Sequence, residues 1–354
     1  MRSLRTNKTL RTNVITYAVV VAAFVLFQCL GSAGVLSSTM KGQLVPICAY
    51  VLMALSLNLT VGILGELSLG HAGFMSVGAF AGAVTASAMQ DSVPSSALRL
   101  TVAVLVGAVL AAIVGVLIGI PVLRLNGDYL AIVTLAFGEI IKSIVNNLYI
   151  GMDANGLHAS FLNNTIVLGE GGRMILSGPM GVPGIKKTAT FAAGFILILI
   201  ALFVIFNLVN SRAGRAIMAL RDNRIAAESV GINVTKYKLM AFVISAAIAG
   251  AGGALYGQAQ NAIIATKFDF NTSILILVFV VLGGMGNMLG SILAAALLTV
   301  LPELLRSLND YRMLIYAIVL ILMMLFNSAP AMIQWREQMT EKLRKKFGKE
   351  KKEG

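Results

Sequence analysis

The chain has 354 residues, of which 58% are apolar and 12% are charged. A soluble domain carries about 25% charged residues, so this composition excludes an ordinary soluble enzyme and indicates a polytopic membrane protein. The net charge of +13 is consistent with Lys-rich and Arg-rich cytoplasmic loops, and we expect no nucleic-acid partner.

The residue types that build metal sites and catalytic centres are scarce. The chain has two histidines and two cysteines, so we expect no metal, no cofactor and no catalytic residue. It contains no Walker-type Gly-x-x-x-x-Gly-Lys-Ser/Thr pattern either. Any use of ATP would therefore depend on a partner.

Apolar segments follow a short basic N-terminus, residues 1–13. Because no small-residue cleavage pattern follows the first segment, we read it as a retained span and not as a signal peptide. The sequence predicts an all-α integral membrane domain at 14–329 with ten spans, at 14–36, 44–63, 67–88, 98–123, 129–149, 189–210, 239–259, 273–289, 290–306 and 311–329.

Lys and Arg are concentrated in the N-terminus, in the loop 211–238 and in the tail 330–354. This bias puts both termini in the cytoplasm. The Gly-rich and Asn-rich segment 151–187 then lies on the opposite side, as a surface loop or a small cap. In the tail, apolar residues at every fourth position predict an interfacial amphipathic helix, with a solvated basic tail as the alternative.

Glycines interrupt the spans in both halves of the chain. Gly78 and Gly82 form a small-xxx-small pair that favours close helix packing. The stretch from Gly62 to Gly73 predicts a broken or re-entrant helix whose free backbone groups could line a pathway. Later, residues 283–287 predict a tight turn between helices. The candidate pathway residues in the first stretch are Gly65, Glu66, Gly70, His71 and Gly73.

Glu139 and Lys142 stand three positions apart in the fifth predicted span. On a helix they are neighbours and can form an ion pair. Alternatively, Glu139 faces a water-filled pathway, because an intramembrane carboxylate is a functional candidate. We therefore add Glu139 to the candidate pathway residues.

The cytoplasmic loop 211–238 predicts a short helix. Asp222 or Asn223 can cap its beginning, and Gly231 can end it about two turns later. A helix of this length is marginal alone in water, so it should rest against something. The alternatives are an ordinary intracellular loop and a docking element for a second protein.

Four stretches carry a resemblance to a known family. They are residues 65–73, residues 127–139, the loop from Gly214 to Lys238, and Val281–Asn287 together with Leu301–Leu305. In this order they resemble the LivM-type permease subunits of bacterial ATP-binding-cassette importers for branched-chain amino acids. The resemblance implies a multi-pass protein of the bacterial inner membrane that forms part of a pore.

The resemblance also implies partners: two ATP-binding subunits, a second homologous permease subunit and an extracytoplasmic substrate-binding protein. It identifies the loop 211–238 as the coupling loop that contacts the ATP-binding subunit. The residues that it assigns to this contact are Arg215, Arg221, Asp222, Ala226, Ala227, Glu228 and Gly231.

The sequence departs from the family pattern at residues 151–156 and 327–330. The first departure lies where a substrate-binding protein would touch. A permease for urea or short amides, and a secondary transporter that works alone, therefore remain alternatives. An intramembrane enzyme is disfavoured, because Glu66, Ser68 and His71 are not spaced like a known catalytic motif.

Overall fold

The structure is a computed structural model. It describes residues 2–305 except 35, 36, 91, 126, 154, 155, 164, 167 and 169–171, and then residues 311, 314, 315, 317, 318 and 320–322. The tail 330–354 and most of the last predicted span, 311–329, lie outside the described residues. The chain divides into two compact units, Met1–Leu297 and Leu298–Gly354. The second contains the end of the last described helix, and all contacts below lie within the first.

Helices account for most of the described chain. They are α1 (Arg2–Ser32), α2 (Ser38–Asn58), a π-helix (Leu59–Leu64), α3 (His71–Ala88), α4 (Ser96–Val122), α5 (Asp128–Asn146), α6 (Phe191–Asn210), α7 (Arg212–Asp222), α8 (Arg224–Ser229), α9 (Val234–Ala259), α10 (Phe270–Gly283) and α11 (Met288–Leu304). Short 3-10 helices occupy Gly178–Met180 and Ala265–Lys267.

Six stretches of helix among the described residues are long and apolar enough to cross a membrane. They are Asn13–Ser32, Ser38–Leu64, Ser96–Val122, Phe191–Asn210, Val234–Ala259 and Ala265–Gly283. The other predicted spans up to residue 306 coincide with α3, α5 and α11. Of these, α5 contains three charged residues and α11 has 17 residues. The number of ten spans and the side of the termini stay predictions.

The all-α prediction is wrong between α5 and α6, where a small sheet forms. Its strands are β1 (Leu148–Asp153), β2 (Gly156–Phe161) and β3 (Arg173–Ser177), in the antiparallel order β2-β1-β3. Leu148 lies opposite Phe161, and Tyr149 lies opposite Ser177. The physical reason is local, because Asp153 pairs with Gly156 across a connection of only two residues, and such short connections join antiparallel strands in a hairpin.

Three helices, α3, α4 and α9, pack around glycines at the centre of the first unit. A Cβ at Gly78 on α3 would collide with the carbonyl oxygen of Gly250 on α9. A Cβ at Gly107 on α4 would lie 2.9 Å from the carbonyl oxygen of Gly78, and one at Gly82 would lie 2.8 Å from Cβ of Ala254. The predicted close approach of helices at Gly78 and Gly82 is therefore confirmed.

Helix α3 separates two surface elements. Near its beginning, the segment before His71 contacts α7 through Arg221. At its other end, Arg173 of β3 donates a hydrogen bond from Nη2 to the carbonyl oxygen of Ser87, at 2.6 Å. Helix α3 has 18 residues and is therefore about 27 Å long. The sheet and the helices α7 and α8 lie at opposite ends of α3.

The glycine packing predicts a clear difference between two Gly→Ala variants. Gly78→Ala should lower the free energy of unfolding by about 1–3 kcal/mol, because the added methyl group collides with rigid backbone. Gly42→Ala is the matched control, since a Cβ there meets nothing within 4 Å and alanine favours a helix. Thermal unfolding in detergent measures both. Equal melting temperatures would contradict the packing account.

Candidate functional site

The helix that begins with α2 breaks before α3 begins. Its last turn widens into the π-helix Leu59–Leu64, Gly65 adopts φ +81°, and α3 begins at His71. Glycine is required at position 65 for two reasons. Residues with a side chain rarely adopt this φ, and a Cβ atom at this position would collide with Cγ of Arg221. The prediction of a broken helix is confirmed. We call residues 59–70 the broken segment.

The two Gly-rich stretches of the sequence meet at the broken segment. A Cβ at Gly62 would collide with the backbone nitrogen of Gly286, which lies in the turn between α10 and α11. Asn58 fixes this contact, since its Oδ1 accepts from the Gly286 N–H at 2.7 Å and its Nδ2 donates to Oγ of Ser291 at 2.9 Å. The tight turn predicted at residues 283–287 is also confirmed.

Helix α5 packs closely against the beginning of α3. A Cβ at Gly70 would collide with the carbonyl oxygen of Thr134, and a Cβ at Gly73 would lie 3.0 Å from Cα of Gly138. The Thr134 hydroxyl accepts from the backbone N–H of Leu69 at 3.1 Å. Gly70 and Gly73 therefore allow backbones to approach, and a polar group of α5 reaches the broken segment.

A buried cluster of polar side chains surrounds Ser245 of α9. Ser245 Oγ donates to the carbonyl oxygen of Ser56 at 2.7 Å and accepts from Oγ1 of Thr60 at 2.8 Å. Nε2 of His71 lies 2.9 Å from the same hydroxyl, and Nδ1 of His71 lies 3.3 Å from Oγ of Ser68. We call these five residues the hydroxyl cluster. Each is at most 1% exposed.

The hydroxyl cluster does not resemble a catalytic triad. Hydroxyl groups engage both ring nitrogens of His71, whereas a catalytic imidazole is oriented by a carboxylate and faces a substrate. The cluster instead connects α2, the π-helix and α3 to α9. It holds the two sides of the helix break in place.

Two cationic side chains reach the broken segment from the loop 211–238. Nη1 of Arg221 donates to the carbonyl oxygen of Gly62 at 2.9 Å. Lys238, in the first part of α9, forms an ion pair with Glu66. The side chains of Lys238 and Glu66 are 4% and 13% exposed. In the sequence analysis Lys238 is named only as the last residue of the loop, and not as a candidate site residue.

The loop contains two short helices, each with a side-chain cap. Oγ of Ser211 accepts from the Gly214 N–H at 3.1 Å and begins α7. Oδ1 of Asn223 accepts from the Ala226 N–H at 3.0 Å and begins α8. Gly231 follows α8 with φ +84°. The predicted short helix is confirmed, with Asn223 as its cap.

The charged side chains of the loop make local contacts. Arg215 donates to the carbonyl oxygen of Asn210 at 3.3 Å, at the end of α6. Asp222 pairs with Arg221 at 3.1 Å, and Glu228 pairs with Arg224 at 3.0 Å. These pairs are exposed, and exposed pairs contribute little to stability.

Helix α8 presents apolar side chains on both faces. Ala227 is 4% exposed and packs inward, whereas Ile225 is 80% exposed. Val230, directly after the helix, is 75% exposed. Ile225 and Val230 are thus two large apolar side chains that the rest of the described chain leaves uncovered.

Glu139 and Lys142 of α5 form the predicted ion pair. Their side chains are 42% and 26% exposed, respectively. The geometry matches the ion-pair interpretation, in which Lys142 neutralises the carboxylate. The alternative interpretation, in which Glu139 faces a pathway, stays a prediction.

The hydroxyl cluster predicts opposite effects for two buried serines. Ser245→Ala should lower the free energy of unfolding by about 1–3 kcal/mol, because it leaves buried partners unsatisfied. Ser76→Ala should have no effect or stabilise, since among the described residues the buried Ser76 hydroxyl has no hydrogen-bond partner. Thermal unfolding of both variants in detergent is the measurement. Equal losses would refute the role of Ser245 as the centre of the cluster.

Comparison with known proteins identifies the family. Residues 40–325 match the family described as "Branched-chain amino acid transport system / permease component". The chain is 37% identical over 302 residues to the high-affinity branched-chain amino acid transport system permease protein LivM of Salmonella typhimurium, and equally to that of Escherichia coli. Each match covers 82% of this chain and 69% of the relative.

A more distant relative is the nucleoside ABC transporter permease protein NupC of Lactococcus lactis. It is 25% identical, over 55% of this chain and 59% of its own length. No solved structure shows a significant match. The family match covers most of this chain. The chain therefore belongs to the permease components of branched-chain amino acid transport systems.

Proposed function

We propose that this chain is the membrane-spanning subunit of an ATP-binding-cassette importer that passes Leu, Ile or Val into the cell by alternating access. The observation that carries the proposal is α8, a capped helix with exposed apolar side chains in a permease of this family. Family membership and six apolar helices support a multi-pass protein of the bacterial inner membrane.

The ATP-binding subunits are the proposed partners of α8. A helix of 6 residues is too short to be stable by itself. Ile225 and Val230 stay exposed in the isolated chain, and burial of such apolar side chains against a partner is favourable. ATP hydrolysis belongs to these partners, and this subunit contributes the path and the contact that responds to hydrolysis.

The pathway and the delivery side follow from the arrangement around α3. The broken segment places non-helical backbone within an apolar bundle, and interrupted helices of this kind line the substrate pathways of transporters. The sheet β2-β1-β3 lies at the opposite end of α3 from α7 and α8. If α8 meets ATP-binding subunits in the cytoplasm, the sheet faces the extracytoplasmic substrate-binding protein.

The substrate proposal rests on the more similar relatives. Those at 37% identity are named for branched-chain amino acids, whereas a relative at 25% identity is named for nucleosides. A second, homologous permease chain would complete the pore. A secondary transporter that works alone is less well supported, because Lys142 pairs with the carboxylate of Glu139.

The proposal predicts co-purification and ATP-driven uptake. Gentle detergent purification of the tagged chain should recover two ATP-binding subunits and a second permease, identified by mass spectrometry. Proteoliposomes of this complex, with the binding protein outside and ATP inside, should accumulate labelled leucine but not urea. An ionophore should not abolish uptake. A chain recovered alone, with uptake that the ionophore abolishes, would instead support the secondary transporter.

The docking role of α8 predicts the effect of Ile225→Asp. A carboxylate at this exposed position should not unfold the chain, but it should weaken the contact with the ATP-binding subunit and abolish ATP-dependent uptake. Ile225→Leu is the matched control and should retain uptake. Subunit stoichiometry after purification and uptake by proteoliposomes measure both. Wild-type uptake by Ile225→Asp would contradict docking through α8.

Glu228→Ala separates docking from helix stability. The exposed pair of Glu228 with Arg224 spans one helical turn and contributes only about 0.3–0.5 kcal/mol. Helix α8 should therefore persist in this variant. We expect loss of substrate-stimulated ATPase activity nonetheless, because the proposal places Glu228 in the contact with the partner. Gly231→Pro should cause the same loss through the backbone, since proline cannot adopt φ +84°. Normal ATPase stimulation in both variants would refute the coupling assignment.

A further inference from the structure

The broken segment is held from the cytoplasmic loop at two points, Gly62 and Glu66. At the first point, the guanidinium group of Arg221 binds the carbonyl oxygen of Gly62. The Cγ atom of Arg221 also occupies the space in which a side chain at Gly65 would lie. The last residues of α7 are therefore fitted to the last turn of the π-helix.

The carbonyl group of Gly62 is free for this contact because of the helix break. A helix end leaves its last carbonyl groups without partners within the helix. The Glu66 N–H bonds to the carbonyl oxygen of Thr60, at 3.1 Å, and so does not satisfy Gly62. Arg221 supplies a charge-assisted donor at this position.

The second point is the ion pair of Glu66 with Lys238. Both side chains are largely buried, and removal of one partner from a buried pair leaves a costly unpaired charge. The pair therefore fixes the broken segment, at Glu66, to the beginning of α9. In the sequence, α8 lies between Arg221 and Lys238.

We propose that Arg221 and the Glu66–Lys238 pair form a two-point link that passes displacement of α8 to the broken segment. The inference rests on the proposed function, because ATP-binding subunits provide the displacement. Arg221 and Lys238 lie on the two sides of α8 in the chain, and their targets lie four residues apart in the broken segment. Displacement of α8 thus acts on the residues between the end of α2 and the beginning of α3. The three residues are positioning residues.

The proposal predicts uncoupling when the link is cut. The assay uses the complete complex in proteoliposomes and measures the number of leucine molecules transported per ATP hydrolysed. Lys238→Met and Glu66→Gln should lower this ratio about tenfold, the factor expected for loss of one charge-assisted hydrogen bond. The exchanged pair, Glu66→Lys with Lys238→Glu, should recover part of the ratio.

Two further variants separate coupling from folding. Arg221 is 39% exposed, so Arg221→Gln leaves no unpaired buried charge and should assemble even if the pair variants do not. Arg221→Gln should also lower the number of leucine molecules transported per ATP hydrolysed. Lys236→Gln removes an exposed charge two residues before Lys238 and should keep the wild-type ratio. Melting temperature and subunit stoichiometry show whether each variant is assembled.

The outcomes distinguish the link from the proposed function. Wild-type complex that shows no ATP-dependent leucine uptake overturns the proposed function, and the link with it. With active wild type, a reduced ratio in assembled Arg221→Gln and recovery in the exchanged pair support the link. A wild-type ratio in Arg221→Gln, or an equal reduction in Lys236→Gln, overturns the link alone.

Discussion

The break between α2 and α3 is the constraint on which the rest of the site depends. A helix that stops inside an apolar bundle leaves backbone groups without partners, and lipid cannot supply them. The protein supplies them from several other helices. Thr134 of α5 accepts from the Leu69 N–H, Ser273 of α10 accepts from the Ala72 N–H, and Arg221 of α7 donates to the Gly62 carbonyl. The break therefore fixes the positions of helices that are distant in the sequence.

This arrangement connects a surface helix with the interior of the bundle. Helix α8 lies beside α7, and the last residues of α7 contact the broken segment. The same segment contacts the turn between α10 and α11 at Gly62, and it contacts the beginning of α9 through the pair of Glu66 with Lys238. The proposed response to an ATP-binding partner requires a connection of this kind. In this chain a small number of polar contacts, each to a defined backbone or carboxylate group, provides it.

Local signals made much of this predictable from the sequence. Glycine frequency predicted the helix break, the cap at Asn223 and the stop at Gly231 predicted α8, and the glycines of residues 283–287 predicted the tight turn. The sheet was missed because the segment was read by composition alone, although Asp153, Asn155 and Gly156 are residue types that are common in turns. Lys238 and Ser245 were missed as site residues because their partners, Glu66 and His71, lie 172 and 174 positions away. Contacts at such separation depend on how α9 packs, which no local pattern reports.

Hydrogen–deuterium exchange of the complete complex tests most directly whether the broken segment responds to the ATP-binding subunits. We expect exchange at residues 59–70 to change between the nucleotide-free and the ATP-bound complex, together with exchange in α8. Exchange in α4, which packs through Gly107 against α3, should not change. A change in α8 with no change at residues 59–70 would contradict the account, because the displacement would then reach the bundle by another route.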